Sequence, residues 1–170
     1  MNKISKKKIY GVVICYNSEL VIKDLYQRID KELFDKIYFF DDNSTDNSYE
    51  VAKEFDWNVV KNQTNLGHGG NLKKAIKTAF EDGADYVLEI HADNQYNPNL
   101  ILKAKHFIEQ DYALITGSRF VNKNPHIEEG MPFLRYFSNK VMSNFTGKLL
   151  SIHLSEFHTG FKIFGKNFYN

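Results

Sequence analysis

Short apolar runs alternate with amphipathic stretches along the chain, and that alternation predicts the fold class. Residues 9–15 read Ile-Tyr-Gly-Val-Val-Ile-Cys, an uncharged run of the kind that forms a strand buried on both faces. Residues 19–34 place Leu20, Ile22, Leu25, Ile29 and Leu33 at mostly helical spacing. A second strand is predicted over 37–40. The polar run Asp41-Asp42-Asn43-Ser44-Thr45-Asp46 closes it, and a short helix over 47–55 follows that cap-rich loop. Residues 57–60 give a third strand. A turn at Gly67, Gly69 and Gly70 opens a helix to Phe80, which Gly83 stops. Residues 86–90 are a fourth strand, ending at His91-Ala92-Asp93-Asn94-Gln95. Pro98 starts a helix to about Gln110, and residues 112–116 form a fifth strand. Further on, 122–132 read as a loop, 133–150 as a helix, and 155–170 show no clear terminal element.

Strands and helices in the order βαβαβαβαβ predict an α/β fold: a mostly parallel sheet covered on both faces. In such sheets ligands bind outside the carboxyl ends of the strands. The chemically interesting residues gather there: Tyr16 and Asn17 after the first strand, Asp41 and Asp42 after the second, His91 to Gln95 after the fourth, and Gly117-Ser118-Arg119 after the fifth.

Composition narrows the function classes. A length of 170 residues suits one domain, and 42% hydrophobic with 15% aromatic residues is enough for a core, which argues against disorder. A formal net charge of +1 gives no electrostatic footprint for nucleic acid, and only three of the 22 basic residues are arginines. The single cysteine, Cys15, excludes an internal disulfide framework and a cysteine-built zinc site. No apolar run approaches the ~18 residues of a membrane span. The first apolar run follows a basic start but no small-residue cleavage site comes after it, so a cytoplasmic protein is expected. Lys3, Lys6, Lys7 and Lys8 can touch an anionic membrane surface or form a solvated tail.

Several motifs fall short. Residues 160–167 approach a phosphate loop, but Asn167 replaces the Ser or Thr that binds Mg2+. Gly67-His68-Gly69-Gly70 approaches a dinucleotide fingerprint, with Leu72 in place of its third glycine. It also reads as a turn with glycines at positive φ. Asp41 to Asp46 has the acidity of a calcium loop without its central Gly and terminal Glu. The stronger signal is His91-Ala92-Asp93-Asn94-Gln95. Asp93 and Gln95 offer oxygen ligands of the kind Mg2+ or Mn2+ takes, and His91 offers nitrogen. A carboxylate in a loop also serves as a simple helix cap. Here a second acidic turn at Asp41 and Asp42 ends a nearby strand, which fits a metal and a polar ribose or base in one cleft.

Six stretches in order carry a family resemblance: Val13-Ile14-Cys15-Tyr16-Asn17-Ser18-Glu19, Asp41 to Asp46, Asn65-Leu66-Gly67-His68-Gly69-Gly70-Asn71, His91 to Pro98, Gly117-Ser118-Arg119-Phe120, and Phe157-His158-Thr159-Gly160-Phe161-Lys162. Over residues 9–120, and on to 166, the chain resembles the family 2 glycosyltransferases, nearest the polyprenyl-phosphate or dolichyl-phosphate sugar synthase branch. The resemblance implies a GT-A fold, a Rossmann-like three-layer α/β architecture, truncated here on its C-terminal side. It implies a single domain over 1–170, with 1–120 as the nucleotide-sugar-binding half and 121–170 as a partial acceptor-side segment.

The same resemblance assigns roles. Tyr16, Glu19 and Asp42 hold the nucleotide's base and ribose, and Lys73 and Asp93 face the donor. Asp93, Gln95 and His91 hold Mg2+ or Mn2+, with His91 departing from the family's usual aspartate. Arg119 lies near a donor or acceptor phosphate, and Glu156 is an acid near the acceptor, although it also reads as an exposed loop residue. The implied partners are a nucleotide-diphosphate sugar donor and a lipid-phosphate or glycan acceptor, with peripheral contact at the inner face of the membrane. The implied reaction is metal-assisted sugar transfer with inversion. A catalytically silent nucleotide-sugar-binding module or inactive fragment is the alternative. A Rossmann-like dehydrogenase is disfavoured, because no G-x-G-x-x-G follows the first strand.

Overall fold

A computed structural model describes residues 7–93, 96–118, 133–151, 156 and 159–169. In chain order the elements are β1 (Ile9–Cys15), α1 (Ile22–Arg28), a 3-10 turn (Lys31–Leu33), β2 (Lys36–Asp41), α2 (Ser48–Ala52), β3 (Asn58–Lys61), α3 (Gly67–Glu81) and β4 (Tyr86–His91). A 3-10 turn (Pro98–Leu100), α4 (Ile101–Glu109), β5 (Leu114–Thr116), α5 (Phe133–Leu150), β6 (Lys162–Gly165) and α6 (Lys166–Tyr169) follow. Chain contacts divide the protein into a larger unit, residues 1–115 with 162–170, and a smaller one, residues 116–161.

The larger unit is built on a six-stranded sheet of order β3-β2-β1-β4-β6-β5. β1 pairs in parallel with both β2 and β4, and β2 in parallel with β3. Every residue of β1 is buried, as its uncharged run requires. Alternate residues Tyr10, Val12 and Ile14 share a face with Phe40, Val87 and Phe164, and Ala75, Ala79 and Phe80 of α3 cover it. The small alanines of α3 let the helix approach the sheet closely.

Three local differences from the sequence pattern have physical causes. The helix expected over 19–34 is interrupted. α1 stops when Ile29 turns extended, and Asp30 then caps the 3-10 turn by accepting from the Glu32 amide. Asn99 donates its side-chain amide to the Arg28 carbonyl and satisfies the end of α1 from across the fold. Of the three glycines at the start of α3, only Gly67 has positive φ, at +72°, while Gly69 and Gly70 are ordinary helical residues. The C-terminal segment does hold an element. β6 inserts between β4 and β5, antiparallel to β4, with Val87 opposite Phe164 and Leu88 opposite Ile163. Four residues are too few to show a period, and their partner edge lies more than 70 residues away in sequence.

In the smaller unit, α5 has the bounds its sequence pattern predicts, and Gly117 donates its amide to the Phe161 carbonyl. Residues 122–132, read as a loop, lie outside the described residues.

The glycines at the head of α3 give a paired test. Gly67→Ala forces a Cβ into left-handed backbone and is expected to cost ~1–2 kcal/mol in urea denaturation. Gly69→Ala meets nothing within 4 Å and is expected to be neutral or stabilising by up to ~1 kcal/mol. Equal destabilisation by the two substitutions would contradict this assignment.

Candidate active site

The loops leaving β1 and β2 are laced together. Each turns on an asparagine in left-handed conformation, Asn17 at φ +50° and Asn43 at +60°, which asparagine tolerates better than most residues. The Asn17 amide donates to Ser44 Oγ at 2.9 Å, the Ser18 amide to Ser48 Oγ at 2.8 Å, and the Thr45 amide to Asn17 Oδ1 at 2.9 Å. Glu19 belongs to this lacing: its amide donates to Asp46 Oδ2 at 3.2 Å, and its Oε2 accepts from the Asn47 amide at 2.7 Å. Tyr16 stands on this platform with half of its surface exposed.

A second network lies beneath. Asp42 is buried, and its Oδ1 accepts from Asn62 Nδ2 and from the Leu66 amide, both at 2.8 Å. Asn62 Nδ2 also donates to Asn71 Oδ1 at 2.9 Å, Asn71 Nδ2 donates to the Phe40 carbonyl at 3.0 Å, and Lys74 Nζ donates to Asn62 Oδ1 at 2.7 Å. Buried polar groups of this kind are costly unless paired, and these pair with one another. Asp42 is thereby fixed between the end of β2 and the start of α3.

Between these loops and β4 opens a cleft of about 360 Å3. Its walls include Tyr16, Ser18, Asp42, Asn65, Gly67, His68, Asn71, His91 and Asp93. It lies at the carboxyl ends of β1 and β4, where strand order reverses, the usual ligand position in an open α/β sheet. Of the residues singled out from sequence, Tyr16, Asp42, His91 and Asp93 meet at this cleft. Glu19 and Lys73 are not among its walls: Glu19 braces the loops, and Lys73 is exposed on α3. Glu156 is buried in the smaller unit. Gln95 and Arg119 lie outside the described residues.

Beside the two histidines of the cleft lies a group that the sequence pattern did not single out. Glu89, in the middle of β4, has a fully buried side chain. Its Oε1 lies 3.2 Å from His91 Nε2 and 3.4 Å from His68 Nε2, and its Oε2 lies 3.8 Å from Lys162 Nζ of β6. The His68 and His91 rings stack at 17° with centroids 5.4 Å apart. The contacts are close enough for ion pairing but out of line for hydrogen bonds, so both Glu89 oxygens and His91 Nε2 are buried without a hydrogen-bond partner. The Glu89 carboxylate beside it is the main reason the His91 pKa is raised above its ordinary value. Burial opposes that rise, the charges of Glu89 and Asp93 add to it, and Lys162 opposes it. One signal was available in sequence, since a lone glutamate interrupts the apolar run over 86–90.

The sign of the pH effect follows. A histidine whose folded pKa is raised contributes stability that is complete below its unfolded value near 6.5 and is lost as pH rises through the folded value. With metal removed by a chelator, the stability difference between the parent and Glu89→Gln is expected to shift towards the parent at pH 5.5 relative to pH 8. An identical difference at both pH values in urea denaturation would contradict the pairing.

Residues 11–169 match the profile of Glycosyl transferase family 2. The UDP-N-acetylglucosamine–dolichyl-phosphate N-acetylglucosaminyltransferase of Methanococcus voltae is 28% identical over 182 residues, covering 96% of this chain and 72% of that protein. The dolichol-phosphate mannosyltransferase of Pyrococcus furiosus is 27% identical over 141 residues, covering 78% of this chain and 38% of that protein. Among solved structures, mannosyl-3-phosphoglycerate synthase from Rubrobacter xylanophilus superposes with a TM-score of 0.69 at 18% identity, covering 94% of this chain and 53% of that one. Glucosyl-3-phosphoglycerate synthase from Mycobacterium tuberculosis, solved with Mn2+, UDP and glucosyl-3-phosphoglycerate, gives 0.65 at 16% identity, covering 95% of this chain and 58% of that one. This chain therefore spans just over half the length of those two structures. The fold is the GT-A fold, and with the profile matching nearly its whole length, the chain belongs to glycosyl transferase family 2.

Proposed function

We propose that the chain takes a sugar from a nucleotide-diphosphate donor and transfers it with inversion to an anionic lipid acceptor, a polyprenyl phosphate. The observation that carries the reading is the cleft at the strand-order reversal, lined by the half-exposed Tyr16 ring, the anchored Asp42 carboxylate, His91 and Asp93. The names of the Methanococcus voltae and Pyrococcus furiosus relatives support a dolichyl-phosphate type of acceptor. A glycan acceptor is the second candidate. A lipid acceptor brings the protein to the inner face of the membrane by peripheral contact. Among the described residues no helix is long and apolar enough to cross a membrane.

In this reading the nucleoside base stacks on Tyr16 and the ribose hydroxyls donate to Asp42. Holding Asp42 through Asn62 and the Leu66 amide sets its position before the donor arrives, which lowers the ordering cost of binding. The first turn of α3 at Gly67 and His68 borders the same cleft, and a helix N-terminus favours a diphosphate. The donor set of His91 and Asp93, with an unpartnered His91 Nε2, fits a divalent cation, and Gln95 completes the motif. Bound there, Mg2+ or Mn2+ would neutralise charge on the departing diphosphate. Arg119 is assigned the same task by the family motif. A lipid phosphate is already anionic and needs no strong base, whereas a sugar hydroxyl would hand its proton to a carboxylate such as Glu156.

Calorimetry with UDP and GDP, each with and without Mn2+, tests the reading. Metal-dependent binding of one nucleotide together with turnover of a sugar donor is expected. Binding without turnover of any donor would identify a silent nucleotide-sugar-binding module instead. Two substitutions separate the parts of the site. Tyr16→Ala is expected to weaken nucleotide binding by ~1–3 kcal/mol, the worth of a base stacked on an aromatic ring. Asp93→Asn is expected to remove ~1.5–3 kcal/mol, and only in the presence of Mn2+. An unchanged Mn2+-dependent affinity in Asp93→Asn would remove Asp93 from the metal site.

A further inference from the structure

We propose that His68, Glu89 and His91 form a nitrogen-rich site for a borderline transition-metal ion, Zn2+ or its relatives, beside the cleft that the two histidines line. This inference does not rest on sugar transfer; it needs only the three side chains. Glu89 and His91 lie two residues apart on β4 and so share one face, and His68 reaches them from the first turn of α3. One ligand atom from each residue falls in a cluster with no separation above 4.8 Å. Glu89 Oε1 is the common vertex, 3.2 Å from His91 Nε2 and 3.4 Å from His68 Nε2. A tetrahedral ion with bonds of ~2.0–2.1 Å has ligand–ligand edges of about 3.3 Å. Two edges of that tetrahedron are therefore already set.

A second observation points the same way. The Glu89 side chain is fully buried, yet neither of its oxygens has a hydrogen-bond partner, nor does His91 Nε2. A buried carboxylate left in that state is costly unless it is paired or coordinates a metal. Lys162 sits 3.8 Å away on the Oε2 side and leaves Oε1 to the two imidazoles. Two imidazoles and one carboxylate suit Zn2+, Co2+ or Ni2+ and suit Mg2+ poorly. His68 is more than half exposed, which leaves an entry path and an open coordination position towards the cleft. The ion would pin the head of α3 to β4. It would also engage His91, so that a cation on the donor diphosphate would depend chiefly on Asp93.

Co2+ is the probe, because tetrahedral nitrogen ligation gives it visible absorption. The metal-free 170-residue chain is titrated with CoCl2 in the absence of nucleotide, followed by ZnCl2 and by excess MgCl2. One Co2+ per chain with a tetrahedral spectrum is expected, displaced by Zn2+ and unaffected by Mg2+. Glu89→Gln and His68→Ala are each expected to weaken it at least tenfold, and Asp93→Asn to leave it unchanged. His68 is exposed, so His68→Ala keeps the test decisive if Glu89→Gln fails to fold. Absence of the tetrahedral spectrum, an unchanged Co2+ affinity in His68→Ala, or a site lost in Asp93→Asn and displaced by Mg2+ would each overturn the proposal. Mn2+-dependent UDP binding on the same samples reports the donor site separately. Its loss with the Co2+ site intact counts against sugar transfer alone.

Discussion

A parallel sheet that reverses its winding cannot close the gap between the two strands at the reversal, and the rest of this structure depends on that constraint. From β1 the chain winds outward to β2 and β3, then returns across the sheet to place β4 on the other side of β1. The loop after β1 leans towards β2, where five of its polar atoms are engaged. The Pro98–Leu100 turn follows β4 in the chain, and its Asn99 is hydrogen-bonded to the end of α1. The cleft opens at the ends of β1 and β4. Its chemistry is set by whichever residues stand where β1, β2 and β4 end: Tyr16, Asp42, His91 and Asp93.

Such a cleft is useful only if its walls hold their shape without a ligand. The buried amides of Asn62 and Asn71 tie Asp42 to the carbonyl of Phe40 and to the amide of Leu66, so the end of β2 and the entry to α3 are one hydrogen-bonded body. Around His68 and His91 the arrangement differs. The Glu89 carboxyl is buried without a hydrogen-bond partner, beside His68, His91 and Lys162. The Asp42 network is fully hydrogen-bonded, while the Glu89 and His91 cluster keeps polar atoms without a hydrogen-bond partner.

Much of the fold was legible because the buried strands are uncharged runs and the loops between them are rich in capping residues. β1 and α5 have the bounds their patterns predict, and β2, β3 and β4 differ by one or two residues at their ends. β6 was not legible. Its four residues carry no period, and their state is decided by the open edge of β4. At the site, strand-end position was enough to bring Tyr16, Asp42, His91 and Asp93 together. Strand-end position does not separate residues that line the cleft from residues that brace its loops, and Glu19 is of the second kind, its carboxylate accepting from the Asn47 amide. Glu89 was absorbed into an apolar run, because a sequence pattern records where a charge interrupts a strand but not what surrounds it in space.

If a nucleoside diphosphate binds in this cleft, a crystal structure of the protein with UDP and Mn2+ will show the base against Tyr16, the ribose within hydrogen-bond distance of Asp42 and the diphosphate beside Asp93. A nucleotide bound elsewhere on the chain, with Tyr16, Asp42 and Asp93 untouched, would contradict this placement.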